Sequence, residues 1–286
     1  MSRPAADPLL EYCEGTLGSC VVSTAPGPTA RRVLRLVDRC GDAWFAKQAP
    51  DRAQWVAELR AYRRWVPTFA DQSAVLRAAD ESLLAIVTSA VPGRPARGWS
   101  PETQRHAGSL LRRIHHSRPA RETDAQAGPR MVARLESLLR GREGLFAPQE
   151  LRFIREQVSG LADLPGSGQG PVHGDYLPRN WIVGEHDGQV RVIDFARSRR
   201  HVPAFDLTRL GYGAWWDRPD LMQAFLDGYG RALEPDEMTF LGRSLAATAM
   251  NRIRRGAELG RPGMVQRARQ RLVALMNGEH PGALTG

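Results

Sequence analysis

Three residues in the second half of the chain, Asp175, Asn180 and Asp194, have the side chains that phosphoryl transfer requires. Asp175 ends a His-Gly-Asp sequence that begins at His173. A carboxylate can take the proton of an attacking hydroxyl, and carboxylate and amide oxygens are the ligands that Mg²⁺ prefers. Phosphoryl transfer leaves the protein little else to supply than a base and oxygen ligands for magnesium around the triphosphate. The residue types therefore predict phosphoryl transfer, with Asp175 as the base and the other two as metal ligands.

The spacing of these residues matches the catalytic loop of kinases. In that loop the aspartate precedes the metal-binding asparagine by five positions, and another acidic residue follows on the next hairpin. Two short β-branched runs, 181–183 and 190–193, flank an Asp-Gly sequence at 187–188, which predicts a β-hairpin. This hairpin would return Asp194 beside Asn180. The alternative is a loop whose aspartate only caps a helix or turn.

The region from 172 to 206 resembles the aminoglycoside phosphotransferase and choline kinase family, relatives of the protein kinases in which the catalytic loop reads His-Gly-Asp. A weaker resemblance extends over 24–210. It implies an α+β, bilobal protein-kinase-like fold that uses ATP and Mg²⁺. The β-rich, nucleotide-binding N-lobe would span 1–91, and the mainly helical C-lobe, which binds the acceptor, would span 92–286.

The resemblance also implies a role for each residue of the loop region. Asp175 would be the catalytic base, and Asn180 and Asp194 would be the Mg²⁺ ligands. Asp206 would be a structural residue that helps to hold the loop. The stretch 193–198 is similar to the Ile-Asp-x-Gly-Arg segment of the 3′-aminoglycoside enzymes, which adds Arg197 to the predicted catalytic set. His173 of the His-Gly-Asp sequence also belongs to this set. Pro178 and Arg179 depart from the family, whose members often have glycine or small polar residues there.

Lysine occurs at a single position. Among 40 Lys+Arg residues, Lys47 is the only lysine. A compact ammonium fits between phosphate oxygens where a planar guanidinium does not, and kinases place such a lysine on strand 3, paired with a glutamate of the next helix. Lys47 ends a strand-like run, 43–47, and Glu58 lies in the following predicted helix. We therefore predict that both belong to the nucleotide site; the alternative is a solvent-facing lysine left by chance.

A turn-rich loop precedes Lys47. The runs 19–24 and 32–37 read as strands, and the loop 25–30 joins them. Its backbone N–H groups, at Pro28-Thr29 in particular, would lie over the phosphates of the nucleotide. The loop has no G-x-G-x-x-G sequence, so an ordinary hairpin connection is an equal alternative.

The apolar run 83–87 and the segment 88–93 resemble the last strand of the family's N-lobe and its hinge. By this likeness Thr88 lies at the back of the adenine pocket. The backbones of Ser89 and Val91 would pair with the base.

Composition favours an enzyme of the cytoplasm. With 286 residues, 42% of them hydrophobic, the chain can form one large two-lobed domain. The three cysteines are an odd number and form no C-x-x-C sequence, so neither a disulfide framework nor a zinc site is favoured. No run approaches about 18 apolar residues, and the first residues lack an apolar signal core, so we expect no membrane partner. We expect a monomer or homodimer.

Helical spacing of apolar residues predicts helices over 104–115, 131–139 and 151–161. His115 and His116 are adjacent and so face different sides of a helix, which favours packing or capping over a metal site. The pair Trp215-Trp216 is typical of a core or rim, with stacking on a planar substrate as the alternative.

Charge guides the prediction of the acceptor. The formal net charge is +9, and arginines gather between 252 and 271 against a single acid, Glu258. Because a polycationic aminoglycoside would be repelled by such a surface, a neutral or anionic hydroxylated small molecule is favoured, such as a nucleoside-type antibiotic or a sugar-like metabolite. An aminoglycoside kinase, and a kinase of a sugar, choline or homoserine-like metabolite, stay open. The arginines could equally be only a solvated face.

Two other classes are disfavoured. A pI near 10.4 suits a nucleic-acid binder, but no helix-turn-helix, zinc-finger or aromatic RNA-binding sequence accompanies the charge. A pseudokinase scaffold would be expected to lack at least one of the four residues Asp175, Asn180, Asp194 and Lys47, and all are present.

Overall fold

The structure, a computed structural model, describes residues 7–24, 32–96, 99–121, 126–162 and 168–280. The chain divides into two units, Met1–Arg97 with His173–Arg199, and Gly98–Val172 with Arg200–Gly286. The first unit thus includes the catalytic-loop segment, which the predicted boundary after residue 91 assigned to the C-terminal lobe.

Helices and strands appear in the following order. The helices are α1 (Pro8–Leu17), α2 (Arg52–Arg64), α3 (Pro101–His115), α4 (Ala127–Leu139), α5 (Pro148–Ala162), α6 (Thr208–Tyr212), α7 (Pro219–Tyr229), α8 (Pro235–Glu258) and α9 (Pro262–Met276). The strands are β1 (Cys20–Thr24), β2 (Arg32–Asp38), β3 (Ala43–Gln48), β4 (Leu76–Asp80), β5 (Ala85–Ser89), β6 (Arg94–Pro95), β7 (Gly170–Val172), β8 (Trp181–Val183), β9 (Val190–Val192) and β10 (Arg199–His201).

The first unit contains, within the described residues, a five-stranded antiparallel sheet in the order β1-β2-β3-β5-β4. Strand β3 lies in its centre, so Lys47 is flanked in register by Val33 on β2 and Ile86 on β5. Helix α1, which the sequence did not predict, buries Leu9 and Cys13 against this sheet. Strand β5 begins at Ala85, later than predicted, because the preceding residues form a turn with a left-handed residue, Leu84.

The predicted hairpin is present and is tied to the N-terminal part of the chain. Strands β8 and β9 pair antiparallel, with β6 on the other side of β8. The Gln72 side chain donates to the Val190 carbonyl at 3.1 Å, and the Ser73 hydroxyl donates to the Val192 carbonyl at 3.0 Å. These buried bonds explain why the catalytic-loop segment groups with the first unit.

The second unit is mainly helical. Helix α3 packs against α7, and α8 packs against α5, α6 and α9. A side chain at Gly108 would meet the Phe225 carbonyl, and one at Gly228 would meet the Arg105 carbonyl, so the first pair of helices requires these glycines. An antiparallel sheet in the first unit and helices in the second confirm the predicted α+β class. No helix in the described part of the chain is both long enough and apolar enough to span a membrane.

Candidate functional site

Lys47 lies between two carboxylates of the first unit. Its ammonium contacts Glu58 Oε2 at 2.8 Å and Asp194 Oδ1 at 2.6 Å. The Lys47 side chain is 16% exposed and that of Glu58 only 3%, so water screens this pair little. The lysine and glutamate predicted from their order along the chain are thus in contact.

Helix α2, which carries Glu58, is fixed by three hydrogen bonds. The Asp51 side chain caps its first turn by accepting from the Gln54 N–H at 2.8 Å. The buried Trp55 indole donates to the Ala85 carbonyl of β5 at 3.0 Å. The Ser198 hydroxyl donates to the Ala57 carbonyl at 3.0 Å, which links the helix to the segment after Asp194.

Asp194 has a left-handed backbone conformation, with φ of 67°. Such a conformation costs a non-glycine residue on the order of 1 kcal/mol, although aspartate tolerates it better than most residues. Packing of the next residue, Phe195, compensates, because its ring is fully buried and meets Tyr62 edge to face at 5.4 Å and Phe69 at 6.2 Å. The buried ring thereby fixes the Asp194 carboxylate at the end of the hairpin.

His173 acts inside the loop and is itself fully buried. Its Nε2 lies 3.1 Å from the Ile193 carbonyl, and its Nδ1 accepts from the Asp175 N–H at 3.3 Å. Both bonds together require the neutral tautomer with the proton on Nε2. The buried ring makes both of these bonds within its own loop segment, and the catalytic role predicted for His173 stays a prediction.

Glycine is required at the centre of the His-Gly-Asp sequence. Gly174 has φ of 79°, and a side chain there would meet the Arg197 carbonyl. Arg197 itself is exposed at this position. The loop therefore passes directly over the backbone that follows Asp194.

Asp175 is covered by two neighbours of its own loop. One guanidinium nitrogen of Arg179 lies 2.5 Å from Oδ1 and 2.6 Å from Oδ2. The Asn180 amide donates to the Asp175 carbonyl at 2.8 Å, and the Ile193 N–H donates to the Asn180 carbonyl at 3.1 Å. Asn180 is thereby held next to the backbone that leads into Asp194.

The two predicted metal ligands are of the chemical types that bind magnesium. Because the Asn180 amide nitrogen is bonded within the loop, its amide oxygen is turned away from that bond. The Asp194 carboxylate is 28% exposed. Within the described ranges no group of three or more His, Cys, Asp or Glu residues could hold a metal. One carboxylate and one amide suit Mg²⁺, which fills its other positions with water and substrate phosphates.

The predicted adenine end lies on β5 and just beyond it. Thr88 is buried and pairs with Phe45 of β3. The Ser89 N–H donates to the Val75 carbonyl at 2.9 Å, so this N–H is not available to a base. Val91 follows the strand and is partly exposed. The predicted phosphate contacts Pro28 and Thr29 lie outside the described residues.

A buried network in the second unit contains two of the residues considered from sequence. His115 Nδ1 lies 2.9 Å from the Tyr229 hydroxyl, and its Nε2 lies 3.2 Å from Asp206 Oδ2. Asp206 and His115 are nearly inaccessible, at 0% and 2% side-chain exposure. A histidine 91 positions away in sequence as partner of Asp206 could not have been found by pattern.

The other sequence candidates of this unit are held by contacts within the unit. Trp215 is fully buried, and its indole donates to the Gln104 side chain at 3.1 Å. Trp216 stacks with Arg271, whose guanidinium lies 5.2 Å from the ring and 2.9 Å from Asp217. Two further arginines of the 252–271 group form ion pairs: Arg254 with Glu258 at 2.6 Å and Arg269 with Glu150 at 3.4 Å. Part of this group is therefore structural.

The contact of Arg179 with Asp175 was missed from sequence. The i,i+4 spacing and the departure from small residues at this position were the only signals. They could not decide between a side chain turned to solvent and one turned onto the carboxylate.

Comparison with solved structures identifies several similar chains. An aminoglycoside phosphotransferase from Alicyclobacillus acidocaldarius subsp. acidocaldarius is 17% identical, with a TM-score of 0.61 over 97% of either chain. A choline/ethanolamine kinase family protein from Mesorhizobium loti is 20% identical, with a TM-score of 0.64 over 95% of this chain and 92% of that one. Amicoumacin kinase in complex with AMP-PNP, Ca²⁺ and Ami is 15% identical, with a TM-score of 0.62 over 93% of each chain.

At these identities the structural likeness shows the fold alone. No curated protein matches the sequence. The sequence itself, over residues 24–241, matches the phosphotransferase enzyme family APH. This match covers most of the chain and includes Lys47, Asp175 and Asp194. The chain belongs to the APH phosphotransferase enzyme family and is a small-molecule kinase.

Proposed function

We propose that this protein transfers the γ-phosphoryl group of ATP to a hydroxyl group of a small molecule. The observation that carries the proposal is Lys47, held at 2.8 Å from Glu58 and at 2.6 Å from Asp194 in the same unit as the Asp175 loop. Such an arrangement supplies a phosphate-binding ammonium, metal ligands and a base. The AMP-PNP bound in amicoumacin kinase supports a nucleoside triphosphate as the donor.

Asp175 is proposed as the general base. The acceptor oxygen forms a bond to the γ-phosphorus, its proton passes to the Asp175 carboxylate, and the bond to the β,γ-bridging oxygen breaks to release ADP. His173 orients the Asp175 backbone through its 3.3 Å bond and transfers no proton to or from the substrates in this scheme. Arg197, exposed beside the loop, is proposed to contact the acceptor or a phosphate.

Nucleotide binding is proposed to rest on Lys47 and on the strand after it. The ammonium would bind phosphate oxygens, and Glu58 would keep it aligned. Thr88, the Ser89 carbonyl and the Val91 backbone would line the adenine site. Mg²⁺, held by Asn180 and Asp194, would neutralise the charge on the phosphate oxygens.

For the acceptor we propose a neutral or anionic hydroxylated compound, with an antibiotic such as a nucleoside favoured. The net charge of +9 supports this choice, since a polycation would have to approach a cationic protein. One observation favours an aminoglycoside instead: a cavity of about 510 Å³ in the second unit is lined by three acids, Glu234, Asp236 and Glu237.

The test is ADP formation over a panel of antibiotics and hydroxylated metabolites with purified enzyme and MgATP. We expect turnover with at least one hydroxylated compound and its loss when EDTA is added in excess. Undiminished activity in EDTA would contradict the metal assignment. Failure to bind MgATP, measured by calorimetry, would contradict the proposed function as a whole.

A further inference from the structure

The proposed catalytic base has a cation of its own loop resting on it. Both carboxylate oxygens of Asp175 are bonded by the same guanidinium nitrogen of Arg179, at 2.5 and 2.6 Å. The Asp175 side chain is 9% exposed, whereas that of Arg179 is 53% exposed. The guanidinium therefore forms the outer cover of a carboxylate that is otherwise enclosed by the loop.

Removal of this cover does not require the fold to change. Arg179 lies in the short 3₁₀ turn Pro178–Asn180, whose backbone is held by the Asn180 N–H bonding to the Leu177 carbonyl at 2.8 Å. More than half of the side chain is already in water, and arginine has several rotatable bonds. It can therefore swing off the carboxylate while Asp175 and Asn180 keep their positions.

The cover matters because water competes with every acceptor of a kinase. Water that attacks the γ-phosphorus gives inorganic phosphate, with its proton passing to Asp175 and ADP leaving, and so consumes ATP without product. An acceptor with several oxygens can place its reacting hydroxyl on the Asp175 carboxylate and offer a second oxygen to the displaced Arg179 guanidinium. A single water molecule cannot do both, and neither can an acceptor whose groups beside the hydroxyl are cationic.

We infer that Arg179 is a specificity-determining residue that keeps Asp175 closed to water and yields it to a hydroxylated acceptor with a further oxygen near the reacting hydroxyl. The inference rests on the proposed function, because it takes Asp175 as the base. The acceptor is thereby restricted to compounds that are neutral or anionic around the reacting group.

The experiment measures ADP formation from MgATP in water, without any acceptor, and so needs no knowledge of the natural substrate. Arg179→Gln should raise this hydrolysis by about tenfold, a part of the ~10²–10⁴ that a general base contributes. Arg179→Lys, which keeps a cation that can reach the carboxylate, should stay near the wild-type rate. The double variant Arg179→Gln/Asp175→Asn should fall back, which assigns the gain to the uncovered base.

A matched control is Arg52→Gln, which removes an exposed arginine of the same unit from its 2.6 Å contact with Glu81 and should leave the hydrolysis unchanged. Structural damage lowers a rate and does not raise it, so a gain cannot come from misfolding. Hydrolysis in Arg179→Gln at or below the wild-type rate would overturn the inference. If the enzyme still phosphorylates an acceptor in a manner that depends on Asp175, the proposed function holds and only the role of Arg179 is wrong.

Discussion

At the scale of single residues, the site depends on carboxylates that are each paired with one cation. Asp175 is paired with Arg179, and Asp194 shares Lys47 with Glu58. Before substrates bind, such pairing holds each carboxylate in one geometry. On the inference above, the acceptor then displaces Arg179 from Asp175. A substitution in this site therefore changes one charge or one shape while the neighbouring side chains stay in place.

Asp175→Asn should abolish turnover while MgATP binding stays nearly intact. The amide keeps the shape of the side chain but cannot take the hydroxyl proton, whose acceptance typically contributes ~10²–10⁴ in rate. Steady-state kinetics and calorimetry on the same preparation measure the two properties. Near-native kcat in the variant would remove Asp175 from the mechanism. Asp187→Asn, which affects an exposed acid on the hairpin, serves as the control.

Lys47→Arg should raise the KM for ATP or lower kcat, although the charge is retained. A guanidinium is planar and larger than the ammonium that now lies 2.6 Å from Asp194 and 2.8 Å from Glu58, so it cannot keep both contacts at the same strand position. Kinetics as a function of ATP concentration provide the measurement. Unaltered constants would mean that the single lysine of the chain is incidental.

At the scale of elements, helix α8 begins at an ion pair in the second unit, in which the Glu237 carboxylate is buried and the Arg231 side chain is 37% exposed. Glu237 accepts from both terminal nitrogens of Arg231, at 2.6 and 2.9 Å, and from the Glu234 N–H at 3.0 Å. Burial alone would raise the pKa of Glu237, but these bonds favour its ionised form and hold the pKa below its ordinary value of 4.5. The pair also closes the start of the longest described helix.

Glu237→Gln should destabilise the protein by about 1–3 kcal/mol at neutral pH, because Arg231 loses its charged partner. Since the folded pKa is lowered, the stabilisation is present above pH 4.5 and is lost as the pH falls through the folded pKa. Tm measured from pH 7 down to pH 3 should show the wild type and the variant converging. A constant Tm difference over this range would argue against the ion pair, and Glu185→Gln is an exposed control.

Local patterns along the chain were enough to predict the elements that carry the site. The β8–β9 hairpin follows from β-branched runs and a turn sequence, which are local, and helix α2 is expected from the kinase order of a lysine strand followed by a glutamate helix. The contact of Lys47 with Glu58 followed from their order along the chain. Local rules could not predict the left-handed Asp194, because distant packing of Phe195 imposes it. The Asp206 contact with His115 is likewise a product of tertiary folding.

At the scale of the whole molecule, the net charge and the local charges favour different acceptors. The chain has 40 basic residues against 31 acids, and several of the C-terminal arginines are tied to acids or aromatic rings. The local acids Glu234 and Asp236 line a cavity, yet the neighbouring Glu237 is already paired with Arg231. Global charge thus favours a neutral or anionic acceptor, and one local surface favours a cation.

The enzyme should phosphorylate a neutral or anionic hydroxylated compound in preference to a tri- or tetracationic aminoglycoside. A polycation would be repelled by the net charge of +9 and by Arg179 beside the base. At physiological salt this repulsion is screened only at distances beyond about 8 Å. The measurement is kcat/KM for kanamycin-type aminoglycosides and for uncharged nucleoside antibiotics with one enzyme preparation. Raising the salt concentration should improve any weak activity on the polycations, because screening grows. Efficient turnover of kanamycin with none on the neutral compounds would show that the acids lining the second-unit cavity outweigh the global charge.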